Sequence, residues 1–361
     1  MKFKSRITKR VGHMALLFSM LGLVSPGVFA TEETADAPES DAIKSEECLK
    51  LEADIDADLG DVINAGCKPS LAQMSALMDN PLGNVAMLFT QFDYYKMQDP
   101  ESNNTAYKGA YTGIFQFPKK LNDDWNLISR VIWTVPSMPL DQDKIDDFDA
   151  TELGNDQGGG VTGQDPSNLP KPIDLFDGRT TDLGDSYYVA LFSPSKGTKL
   201  EGGGNFLWGA GFDLGFPTAQ EDILGTGKYL AGPSALAVYM GPKWKLGGLL
   251  THYWDYEGDS DRDDVNMSNL QYFTFYSLSA TDSIGASPNI ICNWEASSGN
   301  ECSVPLGIGY VKTVQMGKVP VRFGAEFHYY AVTPDDDVSA RWGMRFYMIP
   351  AAPSALFDWM G

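Results

Sequence analysis

The sequence lacks the features of several protein classes. Beyond its first 30 residues it has no uninterrupted apolar run of about 18 residues, the length that a transmembrane helix needs. It is also short of positive charge, with 27 Lys and Arg against 48 Asp and Glu and a formal net charge of −21. The phosphates of nucleic acid would repel such a chain. We therefore expect neither a helical membrane anchor nor a nucleic-acid partner.

Residues that carry out chemistry are also few. There are three histidines, of which His252 and His328 lie outside the N-terminal region. Neither belongs to a recognisable nucleophile motif with a serine and an orienting acid. A Gly-rich phosphate loop of the Walker type is missing, as is any recognisable cofactor motif. We expect no catalytic residue, no cofactor and no metal site.

The N-terminus has the pattern of a cleaved secretory signal over residues 1–30. Five basic residues lie between Lys2 and Arg10, an apolar run follows from Met14 to Val24, and Val28-Phe29-Ala30 precedes the expected cleavage. The four cysteines fall into two local pairs, and an oxidising compartment favours disulfides. We predict bonds between Cys48 and Cys67 and between Cys292 and Cys302, with four free thiols as the alternative.

The chain near its C-terminal end alternates strictly between apolar and mixed residues. The apolar set is Val321, Phe323, Ala325, Phe327, Tyr329 and Ala331, and the other set is Arg322, Gly324, Glu326, His328, Tyr330 and Val332. In a β-strand the first set could face hydrocarbon, while the second could line the wet interior of a barrel. A soluble sandwich can show the same alternation, so the other strands must decide between the two.

Twelve segments have the composition and length of strands. We predict them at 84–96, 106–117, 124–136, 184–193, 206–217, 229–240, 244–257, 268–277, 283–294, 303–314, 321–333 and 339–349. Alternate connections are short, except for 194–205, whereas the others are longer and include 137–183. An even number of strands, with short turns on one side and long loops on the other, is typical of an outer-membrane barrel. Tryptophans at strand ends, Trp125 with Trp133 and Trp244 with Trp254, would form interfacial girdles.

The predicted fold is all-β: a transmembrane antiparallel up-and-down β-barrel of about 12 strands with a short N-terminal periplasmic segment. The acidic segment 31–79 precedes the barrel at 80–349, and a tail follows at 350–361. Acidic residues dominate 31–66, with twelve against two lysines, and 141–182, with eleven against three basic residues. A short amphipathic helix through Leu49, Ile55, Leu59, Val62 and Ile63 would make the N-terminal segment a cap or plug; a disordered acidic leader is the alternative.

Four segments also resemble a known family. They are LNDDWNLISR at Leu121–Arg130, LGTGKYLAGP at Leu224–Pro233, RDDVN at Arg262–Asn266 and VPLGIG at Val304–Gly309. The chain resembles, over roughly 80–349, the outer-membrane barrel family named after the meta-pathway of phenol degradation, some of whose members carry a misleading "neuromedin U" label. The resemblance implies a barrel and traffic in small molecules, with no catalytic residues to transfer. The segment 31–79, the second cysteine pair and the tail 350–361 depart from the family's pattern.

Strand parity assigns a set of charged residues to the barrel lumen. They are Arg130, Asp213, Lys245, Asp255, Arg322, Glu326, His328, Arg341 and Arg345. The hairpin joining the last two strands places Glu326 opposite Arg345, so we predict an ion pair there. A twelve-stranded lumen could be a narrow channel or a plugged one. Selective lining and inert filling are equally compatible with these charges.

We predict a passive channel or transporter in the cell outer membrane, for small molecules that include aromatic or hydrophobic ones. The expected partners are outer-membrane lipid and lipopolysaccharide, the barrel-assembly machinery and the small-molecule solute. A surface adhesin or a structural barrel without an open pore is the alternative, for which the acidic loop 137–183 could bind other surfaces. An outer-membrane hydrolase is less favoured.

Overall fold

The structure, a computed structural model, describes the barrel and part of the segment before it. The described residues are 46–53, 62, 65–83, 85–99, 103–141, 176, 178–317, 319–334 and 338–352. The predicted signal at 1–30, most of the long loop and most of the C-terminal tail lie outside them. The predicted amphipathic helix lies partly outside them, since Ile55, Leu59 and Ile63 are not described.

Two helices before the strands lie wholly within the described residues: α1 at Glu46–Ala53 and α2 at Leu71–Asp79. The strands of the described residues are β1 Ala86–Gln98, β2 Thr105–Lys120, β3 Trp125–Met138, β4 Thr180–Thr181, β5 Ser186–Pro194, β6 Thr198–Lys199, β7 Asn205–Phe216, β8 Lys228–Met240, β9 Trp244–Gly258, β10 Asn266–Ser277, β11 Asp282–Ala286, β12 Asn289–Asn293, β13 Cys302–Met316, β14 Val319–Val332 and β15 Ser339–Ala352. No described helix is long and apolar enough to cross a membrane.

The strands form one closed antiparallel barrel. Each main strand pairs with its neighbour in the chain, and the wall closes where β1 pairs with β15. The short strands β4 and β6 extend the edges of β3 and β7. Because β11 and β12 occupy one position between β10 and β13, the wall has twelve strands. The predicted twelve-stranded barrel is therefore confirmed.

The alternation of β14 divides its side chains between the two faces of the wall. Phe327 and Tyr329 are 42% and 58% exposed, whereas Glu326 and His328 are 3% and 2% exposed. Large apolar side chains on other strands are exposed in the same way, among them Phe92, Trp254, Ile308 and Phe346. Such an outer surface would be unfavourable in water but suits the hydrocarbon of a bilayer. The polar residues face the lumen.

The two ends of the barrel differ in their connections. At one end, residues 241–243 join β8 to β9 and residues 317–318 join β13 to β14. At the other end, the long loop after β3 and residues 217–227 after β7 are much longer. We call these the short-turn end and the long-loop end. In outer-membrane barrels the short turns face the periplasm.

Two details of the strands differ from prediction. The last strand extends to Ala352, so part of the predicted tail belongs to the wall. Trp133 lies inside β3 rather than at its end, and its ring covers Gly113, where an added Cβ would lie 2.1 Å from the ring. The other three predicted girdle residues, Trp125, Trp244 and Trp254, are all exposed.

The ninth strand position is interrupted between Ala286 and Asn289, at Ser287 and Pro288. Proline has no N–H group for the strand ladder, which explains a break at this point. On one side of the break β11 pairs with residues 310–312 of β13, and on the other β12 pairs with residues 302–303.

The chain at this break turns into the lumen. The neighbouring strand β13 has glycine at the two inward-facing positions beside the break, Gly307 and Gly309, and the missing side chains leave space for this turn. A Cβ added to Gly309 would lie 2.8 Å from Glu326 Cγ, and one added to Gly307 would lie 2.7 Å from the Cβ of Ala286. The two glycines therefore allow Ser287 to approach the side chains of β14.

Candidate functional site: the barrel lumen

Helix α2 lies inside the lumen at the short-turn end. Ser70 and Gln73 form a capping box at its start, in which each side chain accepts a hydrogen bond from the other residue's backbone N–H. The Ser75 hydroxyl donates to Thr313 Oγ1 of β13 at 3.1 Å. Met78 packs with Met87 and Ile349, two inward-facing residues at the same end. The helix therefore narrows the periplasmic part of the lumen.

The C-terminal end of α2 is held by two cations from separate strands. Lys245 of β9 donates a hydrogen bond to Asp79 Oδ2, and Arg322 of β14 lies 2.6 Å from Asp79 Oδ1. Arg322 also donates to the backbone oxygens of Ser75 at 2.9 Å and Met78 at 3.0 Å, which are part of the last turn of the helix. We call Asp79, Lys245 and Arg322 the Asp79 clamp, because it fixes the helix to two strands of the wall.

A second group of charges lies nearer the middle of the strands. We call Asp93, Ser287, Glu326, His328 and Arg345 the charge network. The Arg345 Nε atom lies 2.8 Å from Asp93 Oδ1, and one terminal nitrogen donates to the Ser287 backbone oxygen at 2.8 Å. Glu326 accepts from Ser287 N at 2.9 Å and from the Ser287 hydroxyl at 3.0 Å. His328 Nε2 lies 2.8 Å from Glu326 Oε2, the same oxygen that accepts from Ser287 N.

The predicted direct ion pair between Glu326 and Arg345 is wrong. The two residues are opposite each other in register, as expected for this hairpin. However, Arg345 forms its ion pair with Asp93 on β1, and Glu326 is satisfied by Ser287 and His328. Reasoning from one hairpin could not include Asp93, because β1 reaches Arg345 only when the barrel closes.

Between these two groups the lumen contains a cavity of about 150 Å³, which we call the lumen cavity. Much of its wall is apolar, with Phe89, Ile114, Leu236, Leu249, Phe273 and Ile349 among its lining residues. The charged residues of the lining are Asp79, Arg130, Lys245 and Arg322. An apolar cavity with a few placed polar groups is the usual form of a small-molecule site.

Arg130 reaches the lumen cavity from β3. Its side chain is 8% exposed, and its Nε donates to Gln116 Oε1 on β2 at 2.8 Å. Gln116 is directly opposite Arg130 in the β2–β3 register and is fully buried. Among the residues that the structure describes, Arg130 has no carboxylate partner, and neither of its terminal guanidinium nitrogens forms a hydrogen bond.

The remaining residues assigned to the lumen occupy separate places. Asp213 is fully buried on β7 and has no ion-pair partner in the described part of the chain. Asp255 lies near the long-loop end, 3.7 Å from Lys228 Nζ. Arg341 donates to Gln98 at 2.9 Å and to Thr333 at 2.7 Å, also near the long loops. The structure thus divides the predicted set into groups rather than one constriction.

Both predicted cysteine pairs are bonded. Cys48 and Cys67 join α1 to the segment before α2, with 5.5 Å between their Cα atoms. Cys292 and Cys302 face each other across β12 and β13, with 4.1 Å between their Cα atoms. The first bond constrains the polypeptide that enters the lumen, and the second joins the wall on the long-loop side of the break.

Several functional candidates were missed from the sequence. The capping-box pattern at Ser70 and Gln73 could have revealed α2, but nothing local shows that Asp79 reaches two distant strands. Asp93 alternates with exposed Phe92 and Tyr94, which is a usable signal for an inward side chain.

The comparisons with known proteins give a fold. No family model matches the chain, and no curated protein is similar to it in sequence. Among solved structures, the chain is similar to the COG4313 outer-membrane channel from Pseudomonas putida F1, with a TM-score of 0.50 and 12% identity over 75% of this chain and 97% of that chain. The fold is that of an outer-membrane β-barrel.

Two further structures are similar at lower scores. The NanC porin has a TM-score of 0.39 and 9% identity over 72% of this barrel protein and 98% of the porin. Outer membrane phospholipase A from Escherichia coli has a TM-score of 0.38 and 9% identity, with 77% and 97% of the two chains covered. At these identities the likeness concerns the fold alone.

Proposed function

We propose that this outer-membrane barrel is a passive channel for small molecules, with aromatic and hydrophobic molecules among its solutes. The observation that carries the proposal is the lumen cavity, which lies between α2 and the charge network and combines apolar walls with a few charged groups. A barrel filled only for stability would gain more from close packing than from such a cavity. The resemblance to the meta-pathway family supports the same class of solute.

The channel is proposed to be passive because nothing in its sequence resembles a nucleotide-binding loop. Solutes would pass the charge network and then the side of α2. The apolar outer surface makes outer-membrane lipid, including lipopolysaccharide, a proposed partner, and the barrel-assembly machinery would insert the chain.

A structural barrel or adhesin without an open pore is the second candidate. The Asp79 clamp favours it, because α2 is fixed inside the lumen at the short-turn end by the buried Arg322 and the half-buried Lys245. This helix would block the barrel completely if it filled the remaining cross-section. The two candidates therefore differ in one property, which is whether ions pass beside α2.

A hydrolase is not proposed. Ser287, Glu326 and His328 are in mutual contact, but the serine and the histidine both bind the glutamate. In a catalytic triad the histidine lies between the serine and the acid, so that it can accept the serine proton. The arrangement in this lumen has the acid in the middle and lacks that relay.

Single-channel recording of the refolded mature protein in planar bilayers tests the proposal. A channel predicts discrete current steps, and Glu326→Gln should change the ratio of anion to cation permeability because the charge network lines the path. An exposed acidic residue provides a matched control: Glu257→Gln on β9 should leave the steps unchanged. A correctly folded barrel that never conducts would contradict the channel and favour the structural barrel.

A further inference from the structure

The lumen cavity has a surplus of positive charge. Its lining contains three cations, Arg130, Lys245 and Arg322, and one carboxylate, Asp79. Asp79 is shared between Lys245 and Arg322, so it cannot balance both. The positive surplus of the cavity contrasts with the charge of the whole chain, whose formal net charge is −21. A positive cavity inside an acidic protein indicates a negatively charged ligand.

The guanidinium of Arg130 is the group that would bind the negatively charged ligand. The guanidinium is held by Gln116 through Nε, at 2.8 Å, and this contact leaves both terminal nitrogens without a partner among the described residues. Those two nitrogens form a planar fork that matches the two oxygens of a carboxylate. Burying such a cation is costly unless a partner is bound, and the side chain is only 8% exposed.

The rest of the cavity restricts the ligand further. Phe89, Ile114, Leu236, Leu249 and Phe273 provide an apolar wall. The other two cations are already engaged with Asp79 and with α2, so one cationic fork is left for the ligand. The single free cation would neutralise only one of the two negative charges of a phosphate ester, whereas it matches the one charge of a monocarboxylate.

We propose that the lumen cavity is a binding site for small amphipathic monocarboxylates, with the carboxylate on the terminal nitrogens of Arg130 and the apolar body against Phe89 and Phe273. The inference rests on the proposed function, since it names the solute class of the same lumen. Gln116 is a positioning residue, because it orients the guanidinium through Nε and leaves the fork directed at the cavity.

The test is equilibrium binding to the refolded mature protein in lipid nanodiscs, with benzoate as the probe and benzyl alcohol as its uncharged counterpart. Arg130→Gln should weaken benzoate binding by roughly 10- to 100-fold, the loss of a charge-assisted hydrogen-bond pair, and leave benzyl alcohol unchanged. Arg341→Gln is the matched control, because this lumen arginine is already bonded to Gln98 and Thr333. It should change neither probe.

Two results would overturn the proposal: equal benzoate affinity in the wild type and Arg130→Gln, or equal losses in the two arginine variants. If Arg130→Gln does not fold, Arg130→Lys keeps the charge without the fork and should weaken benzoate alone. Binding is measured without current, so the two proposals fail separately. A barrel that does not conduct but binds benzoate through Arg130 would support the binding site and contradict the channel. A barrel that conducts but does not bind benzoate would contradict the binding site alone.

Discussion

Two buried arginines in the same lumen have opposite surroundings. Arg345 has a carboxylate at 2.8 Å, a backbone oxygen at 2.8 Å and the Asn289 side chain at 3.3 Å. Arg130 has one neutral amide at 2.8 Å and a cavity beside it. The first arginine is satisfied by the wall, and the second is not. This difference suggests that the charge network stabilises the barrel, whereas the lumen cavity is open to a ligand.

The largest expected effect compares these arginines directly. Arg345→Gln leaves Asp93 buried without its cation, which should reduce the free energy of unfolding by about 3–5 kcal/mol. Arg130→Gln should change the free energy of unfolding by no more than about 1 kcal/mol, because the loss of the guanidinium's hydrogen bond to the Gln116 amide is offset by the removal of a buried, unpaired charge. Urea unfolding in lipid vesicles, followed by tryptophan fluorescence, measures both. Equal losses would show that the two surroundings are energetically alike.

The second prediction concerns α2. Asp79→Asn removes the charge that Lys245 and Arg322 share, and each charged hydrogen bond contributes about 1.5–3 kcal/mol. We expect faster hydrogen exchange over residues 71–79 and a larger single-channel conductance. The control is Asp123→Asn, an exposed acid in the turn after β2 whose pair with Lys120 lies in solvent. Unchanged exchange in Asp79→Asn would mean that packing and the hydrogen bonds of Ser75 and Met78 with the wall hold the helix without the Asp79 charge.

The third prediction has a smaller effect on stability. Glu326→Gln retains the shape of the side chain but replaces one carboxylate oxygen, which accepts from Ser287 or His328, with an amide NH2 group. In the same unfolding experiment it should reduce the free energy of unfolding by about 1–3 kcal/mol. Removal of the Ser287 hydroxyl in Ser287→Ala should cost less, about 1 kcal/mol, because the backbone N–H still donates to Glu326. A larger loss in Ser287→Ala would indicate that the hydroxyl, rather than Glu326, holds the strand break in place.

The wall of the barrel was predictable from the sequence, because alternation is a local property. The hairpin of β14 and β15 is an example, since the expected opposition of Glu326 and Arg345 is found in the register. Even the interrupted ninth strand matches the predicted segment 283–294 closely, although alternation does not predict its break at Pro288. Period-two patterns assign faces, and turn lengths then set the register.

The interior was less predictable, because its contacts join residues far apart in the chain. Asp93 and Arg345 meet only at barrel closure, and Asp79 bonds residues from β9 and β14. Arg130 is 8% exposed and lines the lumen cavity, but strand parity carries no information on whether the arginine is paired. That property depends on which side chains surround it in three dimensions.

The most direct test of the proposed channel is the reversal potential of single channels in planar bilayers under a potassium chloride gradient. The proposed path passes a cavity with more positive than negative lining residues, so we predict an anion preference that decreases in Arg130→Gln. A cation preference that is the same in the wild type and in Arg130→Gln would contradict it, because ions would then pass without responding to the charge of the lumen cavity.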